Sequence, residues 1–220
     1  MNNRTFIKRV RLLDELKSTS SEGIVSLPGL ASEFFMDIDA AGLSSLFCLP
    51  LEFRDNGVIE LSFDGAIAAT PRAAGCIVRC ALALFQERNV PVVFTDVASH
   101  IWDVLNLCCC SLKPPIAFWV VNEEENLIVG GLSKRNEEIL SIIAANGMTS
   151  ANELSSFLYD ERTKVSVGTA SIYLQKLFLF GLLLREKVTA SETNRIERGW
   201  TYLYQIVPDA LIFSEGGENY

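Results

Sequence analysis

Gly168-Thr-Ala-Ser-Ile-Tyr-Leu-Gln-Lys-Leu-Phe-Leu-Phe-Gly-Leu-Leu-Leu-Arg185 is the stretch on which the reading of this chain turns. Ile172, Leu174, Leu177 and Leu179 supply the apolar residues of a helix. Phe180-Gly181-Leu182 follows without a linker. A glycine can take positive φ at no steric cost and so close the helix, which lets Leu182 tuck beneath it. The apolar run from Leu182 to Val188 then reads as a strand.

Working outward, Ser133 is placed to cap a helix running to about Asn146, where Asn146-Gly147 ends it. Thr149 is expected to cap a second helix from Ser150 to Leu158, with Glu153 as its capping partner. Tyr159 to Val167 connects to the long third helix. Trp200 to Val207 is a second strand, joined to the first by a loop that holds Arg195 and Arg198. Residues 133–207 thus read as three helices and a two-stranded wing, and residues 208–220 as an acidic tail with Asp209, Glu215 and Glu218.

The segment before it alternates strands and helices. Val58 to Phe63 is a strand, and Thr70-Pro71 opens a helix to about Arg88 with Thr70 as its cap. Pro91 to Val97 is an almost continuous apolar run, the pattern of a strand buried on both faces. Ser99 is expected to cap a helix to about Ser111, halted by Pro114-Pro115. Ile116 to Val121 and Leu127 to Gly131 form a hairpin with the charged tip Asn122-Glu-Glu-Glu-Asn126. The order β-α-β-α-β-β implies a partly parallel sheet covered by helices over residues 58–132. In residues 1–57, Arg4 to Lys17 carries Phe6, Ile7, Val10, Leu13 and Leu16 at helical spacing. Leu30 to Phe35 and Ala40 to Phe47 read as short helices, the latter capped by Asp39. Residues 1–57 are therefore expected to be a helical segment. The fold class expected for the whole is α+β.

Composition bounds the rest. The chain has 220 residues, 49% of them apolar, enough for one large domain or two small ones with real cores. No apolar run reaches the roughly 18 residues of a membrane-spanning helix, and the basic N-terminus lacks a following apolar stretch. A soluble cytoplasmic protein without membrane contact is expected. The net charge of −8 is uneven. Up to Leu132, ten Lys and Arg face sixteen Asp and Glu, whereas from Ser133 to Val207 nine face eight. Nucleic-acid binding needs a basic face, because phosphate neutralisation drives affinity. Overall acidity argues against unspecific coating of DNA but leaves room for a local patch.

Two resemblances sharpen these expectations. Ile59-Glu-Leu-Ser-Phe-Asp-Gly65, Thr70-Pro71 and Val92-Val-Phe-Thr-Asp96 resemble the STAS-like domains of bacterial regulators, relatives of the anti-sigma-factor antagonists. That resemblance implies a small sheet with helices, regulatory protein contacts and no catalysis. It also makes Thr70 the nearest match to the antagonists' phosphorylation site, although the Asp-Ser pair typical of them is absent. Leu177-Phe-Leu-Phe-Gly-Leu-Leu-Leu-Arg185 resembles the third helix and first wing strand of MarR-like and ArsR-like winged helix proteins. It implies that Thr169, Ser171, Ile172, Tyr173 and Lys176 face a DNA major groove. Thr169, Ser171, Tyr173, Gln175 and Lys176 would hydrogen-bond to phosphates or base edges, with Arg195 and Arg198 on the wing. Such readers bind as dimers on paired half-sites. Ile172 stands where the family commonly has a polar group, and Phe178 and Phe180 add apolar surface. Ile172 and Phe178 therefore also mark a protein interface, the alternative being a non-catalytic adaptor subunit.

Catalysis finds little support. His100 and Asp103 form the one histidine–acid pair, without a nucleophile motif or a phosphate loop. Glu123-Glu124-Glu125 reads as a solvated turn. Cys76 and Cys80 share a helix face, and with Cys108-Cys109-Cys110 they suggest a metal or redox site. The triple run lacks zinc-ligand spacing, so small buried hydrophobes are the expectation. Trp102, Trp119 and Trp200 are expected in a core or an interface. Neither cofactor nor metal is expected.

Overall fold

A computed structural model describes residues 6–11, 24–25, 57–122, 125–159, 165–189 and 199–212. The protein is α+β and divides into two compact units, with the boundary between Gly131 and Leu132.

In the first unit the described residues form a five-stranded mixed sheet. Its strands are β1 (Phe6–Arg11), β3 (Gly57–Ser62), β5 (Val92–Thr95), β6 (Ala117–Val121) and β7 (Asn126–Gly130), in the spatial order β1-β3-β5-β6-β7. The first four are parallel, and β7 returns antiparallel along the edge of β6. A separate parallel pair joins β2 (Ile24–Val25) to β4 (Ala68–Ala69). Helix α1 (Pro71–Arg88) crosses from β4 to β5, and α2 (Ser99–Ser111) from β5 to β6. Right-handed crossovers that advance in one direction across a sheet place their helices on the same side. Accordingly α1 and α2 pack together, and one core joins Ala74, Ile77 and Leu84 of α1 and Ile101 and Leu105 of α2 to Ile59, Leu61, Phe94 and Val120 of the sheet. Val58, Val93 and Trp119, which alternate with those strand residues, are buried as well. That is why Val92–Phe94 reads as a run of apolar residues without alternation.

Local chemistry sets the ends of these helices. The Thr70 hydroxyl accepts the Ala73 N–H at 3.2 Å, and Pro71 occupies the first helical turn, as the sequence indicates. The cap of α2 differs from expectation. Ala98 holds that position without a side-chain hydrogen bond, and Ser99 is already inside the helix. The expected N-terminal helix also differs, because Phe6–Arg11 is a strand paired in parallel with Gly57–Ser62. Phe6, Ile7 and Val10 suit a strand as well as a helix face, and the ladder offered by β3 decides between them. The remaining helical expectations before residue 57, and the Asp39 cap, lie outside the described residues.

The second unit holds α3 (Lys134–Asn146), α4 (Ala151–Phe157) and α5 (Val167–Leu179). An antiparallel ribbon of β8 (Leu183–Thr189) and β9 (Trp200–Ile206) follows, then α6 (Val207–Ile212). Ser133 caps α3 as expected, its hydroxyl accepting the Asn136 N–H at 3.3 Å. The cap of α4 is Ser150, one residue later than expected, in a reciprocal capping box with Glu153. Thr149 is withheld from that role because its backbone is tied to β9. Its N–H donates to the Tyr204 carbonyl at 2.8 Å, and the Tyr204 N–H donates to the Thr149 carbonyl at 3.0 Å. Val207–Ile212 is helical, so the stretch expected to be an acidic tail begins as α6.

The hinge after α5 forms as its sequence indicates. Gly181 has φ +73, its N–H donates to the Phe178 carbonyl at 2.9 Å, and the Leu182 N–H donates to the Leu177 carbonyl at 3.1 Å. This is a Schellman closure, with Leu182 and Leu177 supplying the apolar contact that accompanies it. Both are fully buried, together with Ile139, Ile143, Leu154 and Leu174. Among the described residues no helix is long and apolar enough to cross a membrane.

Candidate nucleic-acid interface

Helix α5 begins at Ser166, whose hydroxyl accepts the Thr169 N–H at 3.1 Å. Ala170, Leu174, Leu177 and Phe178 form its inward side. The rest of its circumference carries Thr169, Ser171, Gln175 and Lys176, all exposed, so four of the residues expected to touch DNA are accessible, spread around the arc whose middle Ile172 and Leu179 occupy. Tyr173 is half-buried beside them, with the Arg135 guanidinium 5.8 Å from its ring centre. Arg135 in turn donates to Glu138 at 2.7 Å, and that hydrogen bond is the chief reason its pKa is raised. Arg195 and Arg198 lie outside the described residues.

The two residues expected at a protein interface separate. Ile172 is 66% exposed and Leu179, two turns along the same side, is 61% exposed. Phe178 is only 8% exposed, so it belongs to the interior and is corrected on that point. It lies four residues after Leu174, on the side of the helix that faces the core.

The ribbon contributes groups that sequence reasoning did not assign. Arg185 lies opposite Tyr204, Lys187 opposite Tyr202, and Thr189 opposite Trp200. Directly opposed residues project from the same face, and alternate residues along each strand share it. Two cations and three aromatic rings therefore stand together. The Arg185 guanidinium sits 4.1 Å from the Phe178 ring centre and 4.8 Å from that of Tyr202. The Lys187 ammonium sits 4.5 Å from the centre of the Trp200 ring. Trp200 and Tyr202 meet edge to face at 5.2 Å, and Tyr202 and Tyr204 at 6.3 Å. Burial raises the pKa of Tyr204, a rise opposed by Arg185 beside it. The signal was present as Arg-x-Lys in one strand and Trp-x-Tyr-x-Tyr in the other.

The candidate groups of the first unit serve the fold. The Thr70 hydroxyl is engaged as a helix cap. His100 Nε2 is hydrogen-bonded to the Ile67 carbonyl, which ties the turn after β3 to α2. Glu123 and Glu124 lie outside the described residues. Of the tryptophans, Trp119 is buried, Trp102 is half-buried and Trp200 is 55% exposed. No cluster of three or more His, Cys, Asp or Glu side chains suited to a metal exists among the described residues.

The cysteines of the first unit give a pH-dependent expectation. Burial pushes the Cys80 and Cys109 thiols up to about 12, helped by the neighbouring Cys76 and by Cys108 and Cys110 respectively. Both stay protonated at about pH 8, whereas exposed Cys110 is open to reagent. Iodoacetamide followed by peptide mass mapping should modify Cys110 in the folded protein and Cys80 and Cys109 only after denaturation. A folded pKa above the unfolded one also means that stability holds below about pH 9 and falls as pH rises from about 9 to 12. A melting temperature that stays level across that window would contradict the burial of these thiols.

The chain was compared with protein-family models, curated proteins and solved structures, and none of them matches it.

Proposed function

We propose that the protein is a non-catalytic bacterial regulator whose second unit is a winged helix that binds duplex DNA, while its STAS-like first unit carries a regulatory or assembly contact. The observation that carries this reading is the exposure of Thr169, Ser171, Gln175 and Lys176 on a helix whose inward side is locked into a core. A thirteen-residue helix is about 20 Å long, a size that enters a major groove about 12 Å wide. The four side chains offer the hydroxyl, amide and ammonium groups that pair with phosphates and base edges. The residues from Ser133 to Val207 also escape the acidity of the rest. A homodimer would place two such helices on paired half-sites.

Fluorescence anisotropy with fragmented genomic duplex at several salt concentrations tests the reading. Lys176→Ala should weaken binding uniformly and reduce the salt slope by about 1. Absence of binding at the lowest salt would overturn it. The adaptor reading is favoured by one specific observation, the exposure of Ile172 and Leu179 in the middle of that arc. In that case Ile172→Glu would break a protein complex that Lys176→Ala leaves intact.

A further inference from the structure

The face of the β8–β9 ribbon carries chemistry that duplex binding alone does not use. Arg185 lies against the Phe178 and Tyr202 rings and is hydrogen-bonded to the Tyr204 side chain, which leaves its remaining N–H groups as donors on an exposed side chain. Lys187 covers one side of Trp200, whose indole is 55% exposed. Neither cation has a carboxylate partner among the described residues. Among the described residues the site therefore offers positive charge interleaved with a flat, accessible aromatic surface.

We infer that this face is a stacking platform for unpaired nucleobases, with Trp200 as the ring that receives a base and Lys187 and Arg185 as the groups that meet the flanking phosphates. The inference deepens the nucleic-acid reading above and rests on it. Nucleic acid alternates anionic phosphate with planar rings at every residue, which is the pattern this face complements. An acidic peptide supplies the charge without the rings. In a duplex the base faces are already stacked, so a ring face becomes available only at an end, a bulge or a single strand. A base entering beside Trp200 can also displace the Lys187 ammonium from the indole, and the freed ammonium then pairs with phosphate instead of with the ring's weaker quadrupole.

Anisotropy of the full chain with three probes tests this: a blunt duplex, the same duplex with a single-stranded thymidine overhang, and the overhang strand alone. The overhang should raise affinity about tenfold over the blunt duplex. Trp200→Ala should abolish that gain while blunt-duplex binding persists, and Trp200→Phe should retain it. Lys187→Gln, a surface change, should lose part of the same gain and lower the salt slope for the single strand by about 0.7. Equal affinities for blunt and overhang duplex, or a gain that survives Trp200→Ala, would overturn the platform while duplex recognition stands. Binding of the single strand that depends on Trp200, without binding of the blunt duplex, would uphold the platform and overturn the duplex reading. Failure to bind any probe overturns both. Equal, Trp200-dependent binding of polyglutamate would reassign the face to an acidic protein and overturn the inference.

Discussion

Gly130→Ala is expected to lower the urea midpoint of the first unit sharply. Gly130 ends β7 with φ +109, a conformation that side chains with a Cβ rarely adopt. A Cβ built there would stand 2.1 Å from the Ile116 carbonyl oxygen and 2.9 Å from the Ala117 Cα. Both obstacles are backbone at the start of β6, so no side chain can rotate away. The third neighbour, the Cβ of Cys109 at 3.0 Å, belongs to the packed side of α2. Relief requires β6 and β7 to part, which also removes the 2.8 Å hydrogen bond from the Gly130 N–H to the Asn106 side chain. A cost above about 4 kcal/mol is expected, against a typical domain stability of about 5–15 kcal/mol. Gly147→Ala separates the contributions of space and conformation. Gly147 has φ +69 and ψ −141 but nothing within 4 Å of a built Cβ, so only the penalty of a glycine-type backbone conformation, about 1–3 kcal/mol, applies. Urea unfolding followed by the emission of Trp119, which lies in β6, reads the Gly130→Ala loss, and amide hydrogen exchange in α3, which Gly147 closes, reads the Gly147→Ala loss. A Gly130→Ala midpoint close to that of the parent would show that the β6–β7 edge is not packed as described.

Leu177→Ala should have the largest effect in the second unit. The Leu177 side chain is fully buried in the inward face of α5, and the Leu182 that closes the hinge packs against it. Truncating a buried leucine costs about 2–5 kcal/mol, the amount depending on how far the site can collapse. Collapse is restricted here because Gly181 and Leu182 are fixed by hydrogen bonds to Phe178 and Leu177. Leu179, two residues along the same helix, is 61% exposed, and its replacement by alanine should stay within about 0.5 kcal/mol. Amide hydrogen exchange in α3 and α5 measures both without interference from the first unit. Equal losses for the two variants would mean that the inward and outward sides of α5 are misassigned.

The features legible in the sequence are those fixed by short-range chemistry. Thr70-Pro71, Ser133 and Gly181 announce helix ends through groups a few residues away, and Val92–Phe94 announces burial on both faces through its run of apolar residues. The exposed polar residues of α5 follow from helical spacing once Leu174 and Leu177 are placed inside. Features that depend on distant partners were not legible. Phe6–Arg11 becomes a strand through β3, some fifty residues later. Thr149 yields the cap of α4 to Ser150 because Tyr204 claims its backbone. Phe178 turns inward, and the cation–ring face of the ribbon exists only through the register that sets Arg185 against Tyr204 and Lys187 against Tyr202. Neither strand states that register alone.

The pair of backbone hydrogen bonds between Thr149 and Tyr204 has a mechanical consequence. The ribbon behaves as a cantilever clamped near its root, because β9 is stitched to Thr149, the residue before the cap of α4. A load applied at the Trp200 tip reaches that clamp as torque and is passed to the first turn of α4. Tilting the ribbon therefore turns a helix as well, and the second unit answers a push at its tip as a single lever.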